Sequence, residues 1–131
     1  MAATPVEPEG WPRPGGYSNG VRARGELLAI AGQIGWDDRQ NLVAGGFAAQ
    51  FEQALANVAS VVRAAGGGAG DLISLTIFVT DRSAYLRALP EVGAAYRRVA
   101  GNHYPAMALV MVAGLLDPDA LVEIQGLAVL P

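Results

Sequence analysis

Few residues in this chain of 131 can do chemistry, and their scarcity narrows the field. There is no cysteine, which removes disulfides, thiolate nucleophiles and cysteine-ligated zinc. All nine basic residues are arginine, so no lysine is present for Schiff-base formation. His103 is the only histidine, and one imidazole is a poor start for a metal site. What stands out is a carboxylate in an unusual place: Glu123, within the aliphatic run Leu121-Val-Glu-Ile-Gln-Gly-Leu-Ala-Val129. A lone acid among aliphatic neighbours is either paired with a cation or placed for acid–base work. On the first reading its partner is Arg22, Arg24 or an arginine of another copy of the chain. Tyr17 lies where a Pro/Gly-rich start meets the first β-prone run, and it either faces a ligand or packs in the core. His103, at an expected helix end, reads as a satisfied or solvated imidazole. Gly66-Gly-Gly-Ala-Gly70 lacks the Lys-Ser/Thr tail of a phosphate loop and reads as a turn. Trp36 is a lid or an interface residue.

Composition sets the outer limits. With 52% hydrophobic and 16% charged residues, the chain has enough apolar material for one well-formed core. A net charge of −3 without a basic cluster argues against nucleic acid as a main partner. No apolar run approaches the roughly 20 residues of a membrane helix. The first ten residues lack a basic region followed by an apolar one, so no signal peptide is expected and the reading is cytoplasmic.

Glu123 and Tyr17 need elements to position them. Residues 1–16, with four prolines and three glycines, read as an extended arm; residues 17–131 read as the single domain. Tyr17–Arg22 and Glu26–Ala31 read as two strands of a hairpin turning near Ala23–Gly25. Phe47, Phe51, Leu55, Val58 and Val62 recur at helical spacing, predicting an amphipathic helix that ends near Ala65. Ile73, Leu75, Ile77 and Val79 alternate with Ser74, Thr76 and Phe78, which predicts a strand with one apolar face. Asp81 or Ser83 can cap a second helical segment carrying Leu86, Leu89, Val92 and Tyr96, interrupted at Pro90. Tyr104–Val112 and Leu121–Val129, joined by Leu115-Leu-Asp-Pro-Asp119, read as neighbouring strands. Alternation puts Met107, Leu109 and Met111 on one face, and Glu123, Gln125 and Leu127 on one face opposite Val122, Ile124 and Ala128. The order is β-β-α-β-α-β-β, an α+β domain whose mixed sheet carries two helices on one face. The sheet face around Val110, Val112 and Ile124 would then lack a helix, which calls for a closed ring of copies.

These segments carry a resemblance. Gly16-Tyr17-Ser-Asn-Gly20, Ala31-Gly-Gln-Ile34, Gln50-Phe-Glu-Gln-Ala-Leu-Ala-Asn-Val58, Asp71–Asp81, Tyr104-Pro-Ala106 and Leu121-Val-Glu-Ile-Gln125 are similar, in order and spacing, to the RidA (YjgF) family. The resemblance covers the chain from about Gly15 to Val129. It implies a chorismate-mutase-like fold, a homotrimer with inward-facing sheets, and clefts between subunits. For archetypal members it implies cofactor-independent hydrolysis of 2-enamino and 2-imino acids to 2-oxo acids and ammonia. Carried over residue by residue, Tyr17 resembles a substrate-facing hydroxyl and Glu123 the acid that positions water.

The pattern is broken at three places. Met107 stands where archetypal members have an arginine that grips the substrate carboxylate. Ala31, before Gly32, replaces a common serine, and Gly93 replaces a polar residue three before the helix tyrosine. A thioether cannot pair with a carboxylate. Met107, Leu109 and Ala31 therefore describe an apolar wall, with Gly32 and Gly93 as further substrate-side positions, suited to a neutral or apolar enamine, imine or related carbonyl compound. Hydrolysis, tautomerisation and condensation each need one acid–base group and no cofactor. The alternative is a non-catalytic homotrimer that binds a metabolite or a protein.

Overall fold

The computed structural model describes residues 3–131. Its elements are β1 (Thr4–Val6), β2 (Gly20–Arg22), β3 (Glu26–Gln33), α1 (Gly46–Ala64), β4 (Leu72–Val79), α2 (Arg82–Arg87), α3 (Leu89–Ala100), β5 (Ala106–Met111) and β6 (Val122–Leu130). The main sheet runs β3-β6-β4-β5, antiparallel except for the parallel pair β4–β5. Helices α1 and α3 pack on one face, so the architecture is the mixed α+β expected. Among the described residues no helix is long and apolar enough to cross a membrane.

The periodic segments form the elements their spacing demands. Phe47, Phe51, Leu55, Val58 and Val62 of α1 are buried against Leu75, Ile77 and Val79 of β4 and Val122, Ile124 and Ala128 of β6. Each such side chain contributes about 1.5–3 kcal/mol by leaving water, which makes this layer the main source of stability. Asp81 caps α2 by accepting from the Ala84 N–H at 3.0 Å. The helical segment breaks at Ala88, and Pro90 sits in the first turn of α3, where its missing N–H costs nothing. Leu86 and Leu89 are largely exposed; Val92, Ala95 and Tyr96 form the buried face.

Three expectations fail, two in strand pairing and one in face assignment. β2 and β3 form no hairpin. β2 pairs instead with β1, a short strand within the arm, in the register Thr4↔Arg22 to Val6↔Gly20. β5 and β6 are not neighbours, because β4 lies between them and pairs with both. A parallel β5 needs a crossover, and α2–α3 supply it. Ile124 belongs to the helix-covered core and is fully buried, whereas Val110 is 39% exposed on the bare face. The bare face is thus formed by Leu27 and Ala29 of β3, Glu123, Gln125 and Leu127 of β6, Thr76 and Phe78 of β4, and Ala108 and Val110 of β5.

Candidate functional site

The residues singled out by type and spacing fall into two groups, one on each face of the sheet. On the helix side, Tyr17, Gly93, Met107 and Leu109 line one cavity of about 580 Å³. Met107 and Leu109 stand beside Leu75 and Ile77 of β4 and pack partly against the core. Tyr17 is held there by its neighbour. Ser18, buried, donates its hydroxyl to the Tyr104 carbonyl at 2.6 Å and its N–H to the Pro105 carbonyl at 3.1 Å. A parallel bridge, Ser18↔Ala106, ties the end of the arm to the start of β5. Tyr17 is therefore fixed at the cavity rim by backbone register, with 42% of its surface open.

Three further lining residues were not legible from the sequence. Tyr85, Tyr104 and Arg97 join Tyr17 and Tyr96, so all four tyrosines of the chain converge here. Tyr96 and Tyr104 stack with ring centroids 5.1 Å apart and planes 10° off parallel. The Tyr96 hydroxyl donates to the His103 carbonyl at 2.5 Å, and burial raises its pKa well above the ordinary phenol value. It serves as a buried donor rather than an acid. His103 Nε2 lies 2.6 Å from the Leu72 carbonyl, an acceptor only, so the ring donates and is satisfied structurally. This agrees with the plain reading of that histidine.

The second group lies on the bare face. Glu123 and Gly32 line a hollow of about 440 Å³ together with Ile34, Trp36 and Leu116–Asp119. β3 bulges here: Ile30 faces Gly126 and Gln33 faces Ile124, so Ala31 and Gly32 together oppose Gln125 alone. The bulge brings Gly32 against the Glu123 side chain. A Cβ at position 32 would stand 2.8 Å from the carboxyl carbon, so only glycine admits the carboxylate in this position. Ala31 is exposed and lines neither cavity. Among the described residues Glu123 has no arginine partner; the ion pair found is Arg98 with Glu52, at 2.7 Å.

Helix α1 fixes this hollow from beneath. Buried Gln50 donates to the Asp119 carbonyl at 3.2 Å and accepts from the Leu121 N–H at 2.8 Å, holding the chain two residues before Glu123. Asn57 donates to the carbonyls of Trp36 and Ile34, at 2.8 and 3.2 Å. Two amides on one helix thus set both walls. Trp36 sits beside Glu123, half-buried, in a loop pinned by its own backbone. Among the described residues no cluster of three potential metal ligands occurs.

The family profile described as Endoribonuclease L-PSP matches residues 12–130, nearly the whole chain. The chain belongs to this family, which is the RidA (YjgF) family. A 2-iminobutanoate/2-iminopropanoate deaminase of Salmonella typhimurium is 36% identical over 118 residues, covering 88% of each chain. The human protein of the same name is 30% identical over 116 residues, covering 88% of this chain and 80% of its own. Among solved structures, the Rid-family protein YyfB from Yersinia pestis superposes with a TM-score of 0.86. It is 31% identical and covers 99% of this chain and 100% of its own. The YjgF gene product of E. coli gives 0.69 at 33% identity, covering 88% of both chains. The RidA-like fold read from the sequence is therefore the fold observed.

Proposed function

We propose that this RidA-family chain is an enzyme acting on a reactive enamine, imine or related carbonyl intermediate in a cleft between subunits of a homotrimer. One observation carries the reading. The polar groups retained from the family pattern lie on opposite faces of one sheet, each in a half-open hollow, and each lacks what the other holds. The Tyr17 cavity, of about 580 Å³, has a largely apolar lining and no carboxylate; the Glu123 hollow, of about 440 Å³, has a carboxylate with no arginine partner among the described residues. A single chain cannot bring them together, whereas a ring can set the Glu123 face of one subunit over the Tyr17 cavity of the next.

In that cleft Glu123 takes a proton from water as its oxygen attacks the imine carbon, and passes that proton to nitrogen, so that the C=N bond becomes an aminol. Glu123 then takes the aminol hydroxyl proton and hands it to nitrogen as the C=O bond forms and the C–N bond breaks. The balance is imine plus water giving carbonyl plus ammonia, with no redox change and no cofactor. Tyr17 orients the reacting group by hydrogen bonding. Met107 and Leu109 supply a wall without charge, so a small 2-imino acid of the kind named for the curated relatives loses its anchor. An apolar body fits instead.

The test is Glu123→Gln, which keeps the shape and removes the base. General-base removal is expected to lower turnover of a cognate imine by about 10²–10⁴-fold while the thermal midpoint changes little. A sharp fall in melting temperature with turnover retained would assign Glu123 a structural role. A trimer that binds carbonyl compounds but releases no ammonia from any imine would favour the non-catalytic binding module.

A further inference from the structure

The aromatic cavity holds one charged side chain among the described residues that line it, Arg97. Its neighbour Arg98 is engaged in a bidentate pair with Glu52, at 2.7 and 2.9 Å. Arg97 has no such partner among the described residues; it is exposed, and its side chain stands at the cavity rim. It runs close to Gly93. Helical side chains lean toward the N-terminus, so residue 97 lies over position 93, one turn earlier. A Cβ at Gly93 would stand 3.4 Å from Arg97 Nη1, at ordinary contact distance, so the guanidinium lies alongside the Gly93 backbone.

We propose that Arg97 binds the anionic end of an amphipathic substrate whose negative charge is separated by several carbons from its C=N or C=O group. The inference rests on the enzyme reading above and narrows its substrate class. Met107 and Leu109, on β5, line the inner wall, while Arg97 approaches from α3. A carboxylate adjacent to a reacting carbon held against Met107 and Leu109 would meet apolar side chains rather than a cation. A carboxylate at the far end of a short apolar chain reaches the guanidinium, while the chain lies against Met107, Leu109 and the tyrosine rings. Planar, bidentate and always charged, a guanidinium suits such a carboxylate.

The probes are 6-oxoheptanoate, its neutral amide 6-oxoheptanamide, and 2-oxobutanoate, titrated calorimetrically into the full-length protein. The wild type is expected to bind 6-oxoheptanoate about five- to tenfold more tightly than the amide at low salt, an advantage that shrinks as salt screens this partly exposed pair. It should favour 6-oxoheptanoate over 2-oxobutanoate by at least as much. Arg97→Gln should abolish the acid-over-amide preference, and Arg97→Lys should keep part of it. Equal affinities for acid and amide in the wild type would overturn the proposal. So would a preference that survives Arg97→Gln, or no binding of either probe. The two readings separate cleanly in the same set. Preference without turnover of any imine sinks the enzyme reading and leaves Arg97 as the anion contact, whereas turnover without preference does the reverse.

Discussion

On the proposed reading, the difference between a thioether and a guanidinium at position 107 decides which anion the cleft accepts. A desolvated charge-assisted pair is worth about 2–5 kcal/mol, so its loss costs roughly one and a half to four orders of magnitude in rate. Negligible hydrolysis of 2-iminopropionate by the wild type is therefore expected. Met107→Arg should restore a measurable but incomplete rate, because Ala31 and Gly93 still lack polar groups and a new cation in a half-buried site carries a desolvation cost. The measurement is ammonia or 2-oxo acid released from imine generated in situ by an amino acid oxidase. Robust wild-type turnover would mean that another group anchors the carboxylate beside the reacting carbon. A second prediction concerns Tyr96. Its folded-state pKa is raised by burial, while in the unfolded chain it titrates near 10.0. Stability is thus fully present below about pH 10 and is lost as pH rises beyond it, since only the unfolded state releases the proton freely. Tyr96→Phe should lower stability near neutral pH by about 1–2 kcal/mol through the unpaired His103 carbonyl. It should also flatten the decline above pH 10, read from urea midpoints at pH 9 and 11. As candidates, Glu123, Tyr17 and Met107 were legible from residue type and position. Arg97 was not, because nothing in Tyr-Arg-Arg-Val shows which arginine meets Glu52 and which turns to a cavity.

Among the elements, α1 does more than cover the sheet. Gln50 and Asn57 lie two turns apart on it and hold the β6 lead-in and the Trp36 loop that together frame Glu123. Gln50→Ala removes an acceptor from the Leu121 N–H and a donor from the Asp119 carbonyl in a part-buried setting. It is expected to cost about 1–3 kcal/mol in urea unfolding and, on the proposed reading, to lower kcat more than KM, since it displaces the proposed base rather than the proposed binding wall. Stability equal to wild type would show that water replaces both bonds. Element existence was legible because burial on one face writes a period into the sequence, as in Phe47–Val62 and Ile73–Val79. Element pairing was not. The loop 112–121 could close a hairpin equally well on periodicity alone, and only the parallel docking of β5 on β4 excludes it. The hairpin expected of β2 and β3 failed for a related reason: the arm offers β2 a strand of its own, Thr4–Val6, and proline-rich sequence hides it. The bulge at Ala31–Gly32, which makes room for the carboxylate, leaves no local signal beyond the glycine itself.

The whole molecule leaves one sheet face without a cover. Leu27 is 64% exposed, Val110 39% and Leu127 37%, on strands β3, β5 and β6 that span the width of the sheet. The loop before β6 also presents Leu116 fully to solvent at the mouth of the Glu123 hollow. Apolar side chains gathered on one face, with a polar loop at its edge, are the pattern of a buried assembly surface. A closed ring is the arrangement that buries the same patch on every copy and still sets two different surfaces, the Glu123 hollow and the Tyr17 cavity, against each other. Light scattering after size exclusion is therefore expected to give three times the chain mass of 13.5 kDa at micromolar concentration. Leu127→Arg, placing a charge in the centre of that face, should shift the mass toward the monomer and abolish imine turnover without touching either hollow directly. A monomeric wild type would sink both the assembly and the shared cleft. An Arg variant that dissociates yet keeps full activity would show that one chain completes the site alone.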